Sequence, residues 1–145
     1  MCGLQGLPAG ALIFTQDGEL PVDHLVPGDR IITRDSGYAT LQALETARAE
    51  TDLVRIRRGA LGHNRPPRDT LLPAAQRLLL RDWRARALYG RTQALVPVAQ
   101  LVDGEFVTRA GRGVLRLFTL RFARTHVIYA DGLELASGAA MTAEA

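Results

Sequence analysis

Apolar and polar residues alternate in short runs along most of this chain, and the runs are cut by glycine, proline and Asp-Gly pairs rather than by long polar stretches. A period of two sets one face of a strand on a core and the other in water. The clearest runs predict strands at residues 11–15, 30–33, 38–46, 53–58, 95–98, 106–108, 114–122 and 124–130. Asp17-Gly18 and Asp131-Gly132 are turn signals at the ends of two of them. Residues 71–80 are also apolar, but Pro73 cannot donate to a ladder and makes that stretch a broken or edge strand. Two segments break the alternation. Residues 81–89 carry helix formers behind an Arg-Asp pair, and residues 22–25 suffice for one helical turn before Pro27. Neither changes the class, which is all-β, a sandwich or a barrel.

The pattern also repeats. Pro21-Val22-Asp23-His24-Leu25-Val26-Pro27-Gly28-Asp29-Arg30-Ile31 returns 76 positions later as Pro97-Val98-Ala99-Gln100-Leu101-Val102-Asp103-Gly104-Glu105-Phe106-Val107. Each copy leads into Thr-Arg, at Thr33-Arg34 and Thr108-Arg109, the second copy one residue shorter. Two copies half a chain apart predict two β subdomains about a pseudo-two-fold axis, since a solenoid needs several shorter units. Leu25 and Leu101 are then expected at equivalent buried positions.

Composition narrows the setting. The 145 residues make one domain with a real core. No run is long and apolar enough to span a bilayer, and the N-terminus lacks the basic-then-apolar order of a secretory signal, so the expected location is the cytoplasm. One cysteine allows neither an internal disulfide nor a cysteine-rich zinc site. His24 and His63 lie in a turn and a Gly/Pro-rich loop with no metal-ligand spacing between them, and no cofactor or metal is expected. All 18 basic residues are arginine, the better partner for phosphate and carboxylate. The net charge is only +3, however, and the arginines are dispersed, so biased composition accounts for them more simply than nucleic-acid binding does. Trp83 and Tyr89 flank the short helix and are expected to pack at the core or its rim.

Four segments, in order, resemble the Hint family, the hedgehog/intein autoprocessing fold, and especially its bacterial branch of short domains. They are Gly10-Ala11-Leu12-Ile13-Phe14-Thr15 running on to Pro27-Gly28-Asp29-Arg30-Ile31; Val54-Arg55-Ile56 with Gly59-Ala60-Leu61-Gly62; Asp69-Thr70-Leu71-Leu72-Pro73-Ala74-Ala75-Gln76-Arg77; and Thr125-His126-Val127-Ile128-Tyr129-Ala130-Asp131-Gly132. The resemblance implies a Hint-like domain over residues 7–135, an N-terminal segment 1–6 and a flexible tail 136–145. It also implies an N-to-S acyl shift, in which a cysteine at the first position attacks the preceding carbonyl. That step needs a thiolate, a polarised carbonyl and a proton donor for the leaving amine.

The departures from the family pattern fall on that chemistry. Counting back from Gly10, the nucleophile position holds Gly6, which has no side chain. The expected Ser/Thr and His of the third segment fall on Pro73 and Gln76, and an amide cannot trade a proton at neutral pH. The terminal His-Asn pair falls on Ala136 and Ser137. His126 is retained, as a relic acid/base or as a structural ring. Cys2 is an alternative nucleophile, although only Met1 precedes it, and Asp69 stands at a family Asp position where it can hold a backbone amide. Three readings follow. The first is a Hint domain that has lost its autoprocessing residues and serves as a binding or accessory module for an unknown protein partner. The second is a self-cleaving domain using Cys2, or Thr15, with His126. The third is an arginine-rich β-barrel that meets an acidic partner.

Overall fold

Residues 4–138, which the computed structural model describes, form twelve strands, one short helix and two 3-10 turns. The strands are β1 (Leu7–Pro8), β2 (Leu12–Thr15), β3 (Gly18–Pro21), β4 (Arg30–Thr33), β5 (Gly37–Thr40), β6 (Ala43–Ile56), β7 (Thr70–Pro73), β8 (Arg77–Leu80), β9 (Ala94–Pro97), β10 (Val107–Arg121), β11 (Val127–Ala130) and β12 (Leu133–Ala136). A four-stranded sheet runs β1-β10-β6-β7, and a larger one runs β3-β2-β4-β11-β12-β8-β9 with β5 beside β4. The pairings that fix these sheets are antiparallel. The alternation read from the sequence is visible in the structure: β2 and β8 bury every second residue, Ile13 and Leu78 being fully enclosed.

The repeat is a structural one. The strand β3 and the strand β9 each end in a proline, Pro21 or Pro97, and pass into 3-10 turns at Val22–His24 and Val98–Leu101. Val22 and Val98 are both fully buried, and Leu25 and Leu101 are 3% and 4% exposed. The hydrogen bonds correspond as well. Val22 N donates to Ala11 O just before β2, and Val98 N donates to Gln76 O just before β8. Leu12 opposes Pro21 as Arg77 opposes Pro97. The two hairpins differ in their turn. The β2–β3 hairpin closes tightly at Gln16-Asp17, whereas β8 and β9 are joined through helix α1 (Trp83–Tyr89). Asp82 caps that helix by accepting from Arg84 N at 2.9 Å, and Gly90 ends it in a left-handed conformation.

Several boundaries differ from the sequence reading. The strand expected at 38–46 is divided at Leu41-Gln42, where Leu41 N donates to Asp29 O and Gln42 N to Arg121 O. The segments 53–58 and 114–122 belong to two long strands, β6 and β10, which pair almost end to end with a bulge between Arg109 and Arg112. Their outer halves are largely exposed on both faces, so hydrophobic alternation could not reveal them. β7 is the edge of its sheet, as Pro73 requires. β12 is a further strand, buried through Ala136, and Gly138 N still donates to Leu120 O at 2.9 Å. Strand structure therefore runs past Leu135 to Ala136, while residues 139–145 and Cys2 lie outside the described residues. Trp83 is not in the core. It is 70% exposed at the rim, while Tyr89 packs against the core.

Candidate functional site

The first described residues and the last ones meet at one place, beside β10. Leu7 and Pro8 pair with Phe118 and Leu117, which brings Gly6 against the same strand. Gln76, in the turn between β7 and β8, is 1% exposed and reaches both segments. Its Oε1 accepts from Gly6 N at 2.9 Å, and its Nε2 donates to Ala136 O and Arg77 O, each at 3.0 Å. These partners fix which end of the amide is oxygen, since Gly6 N–H can only donate. Gln5 adds a further tie, its Oε1 accepting from Arg77 N. The junction closes around a void of about 10 Å³, lined by Gly6, Gln76, Phe118, Ala136 and Ser137 among others. That is the lower limit for a single water.

Glycine at position 6 is a requirement of this backbone. Its φ of +152° is one that side-chain-bearing residues rarely adopt, and a Cβ there would lie 2.9 Å from Leu117 Cβ. Gly138, on the other flank, is pressed the same way: a Cβ there would lie 2.3 Å from Thr119 Cγ2. Both flanks therefore approach β10 where a side chain would collide with it.

His126 lies at the neighbouring corner, immediately before β11, and is 6% exposed. Its backbone is tied to the junction through Ser137. His126 N donates to Ser137 Oγ at 2.9 Å, and Ser137 N donates to His126 O at 2.8 Å. Its ring is engaged elsewhere. Nδ1 is 3.0 Å from Asp35 Oδ2, and the ring meets Phe122 edge-on at 5.4 Å. An ionised carboxylate can only accept, so Nδ1 carries the proton and Nε2 is the acceptor of the neutral ring. Burial raises the Asp35 pKa, but the Val127 amide and the His126 ring outweigh it and hold the carboxyl below its usual range.

Of the residues predicted from sequence, Gly6 and Gln76 touch directly, and His126 joins them through Ser137 and Ala136. Asp69 accepts from Arg58 N at 2.9 Å and braces the loop that follows β6. The Thr15 hydroxyl is spent in its own turn, donating to Gly18 O and accepting from Asp17 N. Asp35 was not legible as a site residue: it stands 91 positions from His126 in a turn that the sequence marks only as a turn. Among the described residues no three His, Cys, Asp or Glu side chains gather at metal-ligand distance.

Comparison with known proteins agrees with this architecture. The model of the Hint domain family matches residues 6–140. The chain belongs to the Hint family. Solved structures similar to this Hint domain include the bacterial intein-like domain from Clostridium thermocellum, with a TM-score of 0.62 at 12% identity, covering 94% of this chain and 100% of that one. A DnaB intein from Synechocystis gives a TM-score of 0.64 at 12% identity, covering 93% and 99%, and the gp41-1 intein gives 0.58 at 9%, covering 92% and 98%. Among curated proteins there is no significant sequence match. At these identities the structural likeness speaks for the fold, and the chemistry must be argued from the residues. Among the described residues of this Hint domain no helix is long and apolar enough to cross a membrane.

Proposed function

We propose that this Hint domain no longer performs peptide-bond autoprocessing and serves as a binding or accessory module. The observation that carries the reading is Gly6, locked by its backbone and by Leu117 at the position where the family resemblance puts the nucleophile. An N-to-S shift on the Gln5–Gly6 bond would need a thiolate on residue 6 attacking the Gln5 carbonyl. It would also need a proton for the departing Gly6 nitrogen. Gln76 occupies the proton donor's place, but its oxygen faces that nitrogen and has no proton to return. Its NH₂ group faces away, toward Ala136 O and Arg77 O. Loss of a general acid typically costs about 10²–10⁴-fold in rate, and without a side-chain nucleophile the covalent route is absent. The His126–Asp35 pair supports the same reading, because the ring's proton-bearing nitrogen is bound to a carboxylate and not to the junction.

The test is a fusion of a reporter protein to the N-terminus of the full chain. The expected outcome is no release of the reporter over a day, with or without a strong thiol or hydroxylamine. Release that is abolished by Cys2→Ala would overturn the reading and establish a self-cleaving domain with Cys2 as nucleophile. Release abolished by His126→Ala but not by Cys2→Ala would overturn it too, and point to a different nucleophile.

A further inference from the structure

On the larger sheet, apart from the Gly6–Gln76 junction, positive charge gathers around a buried acid. Glu134, on β12, is 1% exposed, and three arginines share its carboxylate: Arg34 at 3.0 Å, Arg65 at 3.1 Å and Arg81 at 2.7 Å. One carboxylate cannot neutralise three guanidinium groups, so two positive charges remain. The Arg34 and Arg81 side chains are 39% and 41% exposed and present that surplus to solvent. Hydrogen bonding to Glu134 outweighs burial and raises the pKa of Arg81 above its ordinary value, so the cluster stays cationic.

Arg81 also borders a shallow cleft, wide open to solvent, whose walls include Trp83, Arg86 and Arg91. Arg84 covers one face of the Trp83 ring, its guanidinium carbon 4.9 Å from the ring centre, and the rest of this 70% exposed indole faces outward. Asp82 lines the same cleft but is engaged by the Arg84 side chain and backbone amide. Arg34, Arg65 and Arg81 thus share one acid, Arg84 is paired with Asp82, and Arg86 and Arg91 add two further exposed positive charges. A solvated face that only confers solubility intersperses its signs and does not expose a large aromatic.

We propose that this face binds an acidic segment of a partner protein, its carboxylates on Arg34, Arg81, Arg86 and Arg91 and an apolar side chain on Trp83. The planar guanidinium fork matches carboxylate geometry. Glu134 holds Arg34 and Arg81 in place beforehand, which lowers the side-chain ordering cost of binding. A nucleic-acid strand fits less well, because strand binding stacks successive bases on several aromatics along a groove, and here one ring is presented. The proposal gives the binding-module reading its partner chemistry and rests on that reading for its biological use.

Trp83 is the chain's one tryptophan, so its fluorescence reports this face alone. The full chain is titrated with a heptapeptide of glutamates around a central phenylalanine. The expected result is a saturable change in emission that weakens steeply with salt. Arg86→Glu combined with Arg91→Glu, both exposed, is expected to weaken binding about tenfold with the thermal midpoint unchanged. No saturable change, undiminished binding by the double variant, or tighter binding of an oligothymidylate of equal charge would each overturn the proposal. Cleavage of the reporter fusion would leave this titration unaffected, and failure of the titration would leave the cleavage result standing, so the two readings fail separately.

Discussion

At the Gly6–Gln76 junction the amide of Gln76 is engaged by Gly6 N, Ala136 O and Arg77 O, and the void beside it is about 10 Å³. At the His126 corner an imidazole and a carboxylate still share a hydrogen bond of 3.0 Å. Both corners hold positions to which the family resemblance assigns chemistry, and they differ in what their residues can still exchange. The junction contains no group that gives or takes a proton near neutrality. The His126 corner contains an imidazole and a carboxylate, and both also hold the fold together. Asp35 accepts from Val127 N, and His126 packs on Phe122. At the junction, a glycine and an amide brace the N-terminal segment against β12.

The sharpest way to break this comparison is to return a nucleophile to the junction. Gly6→Cys must accept a strained φ, typically about 1–3 kcal/mol, and push against Leu117, where overpacking typically costs about 1–3 kcal/mol. The expected loss is about 3 kcal/mol in urea unfolding, and the variant is expected to show no thiol-induced cleavage of an N-terminal fusion. A Gly6→Cys chain as stable as its parent would mean that the junction has room and that glycine there is incidental.

A smaller loss is expected for Gln76→Ala. Removing the amide leaves Gly6 N–H and Ala136 O without their partner in a site nearly closed to water. A buried unsatisfied group costs about 1–3 kcal/mol, and relaxation of the N-terminal segment offsets part of it, so about 2 kcal/mol is expected. Amide hydrogen exchange adds a sharper reading: Gly6 should lose protection while β8 keeps it. Unchanged protection at Gly6 would show that the segment is held by β1 pairing and not by Gln76.

The contrast also shows what the sequence could carry. The repeat was legible because Pro21 and Pro97, Val22 and Val98, and Leu25 and Leu101 occupy equivalent buried or turn positions, which leaves the same residue types behind. Gly6 and Gln76 were legible through family order, since their distance from Gly10 and from Asp69 is a spacing along the chain. The long arms β6 and β10 were not, because exposed residues on both faces erase the period of two. Asp35, Glu134 and the lock on Gly6 were also hidden. Each depends on contacts between residues roughly 50 to 110 positions apart, and a carboxylate near a turn looks the same whether it meets an imidazole or water.

The smallest effect tests the other corner and is lost in acid. The Asp35 carboxyl is held below its usual range in the folded protein, so it binds a proton less readily there than in the unfolded chain, where its pKa is about 3.9. Its contribution to stability is therefore complete above about pH 4. It disappears as the pH falls through the lower, folded-state value. The side chain is 41% exposed, and solvent screening keeps the contribution below about 1 kcal/mol. Asp35→Asn keeps a side-chain oxygen for Val127 N but removes the ionisation. Its unfolding midpoint should lie slightly below that of the parent at pH 7, and the two should converge as the pH falls through the lowered folded-state value of Asp35. Parallel pH profiles for the two proteins would show that the His126–Asp35 contact stabilises nothing through its charge, and the corner would then be as neutral in effect as the junction.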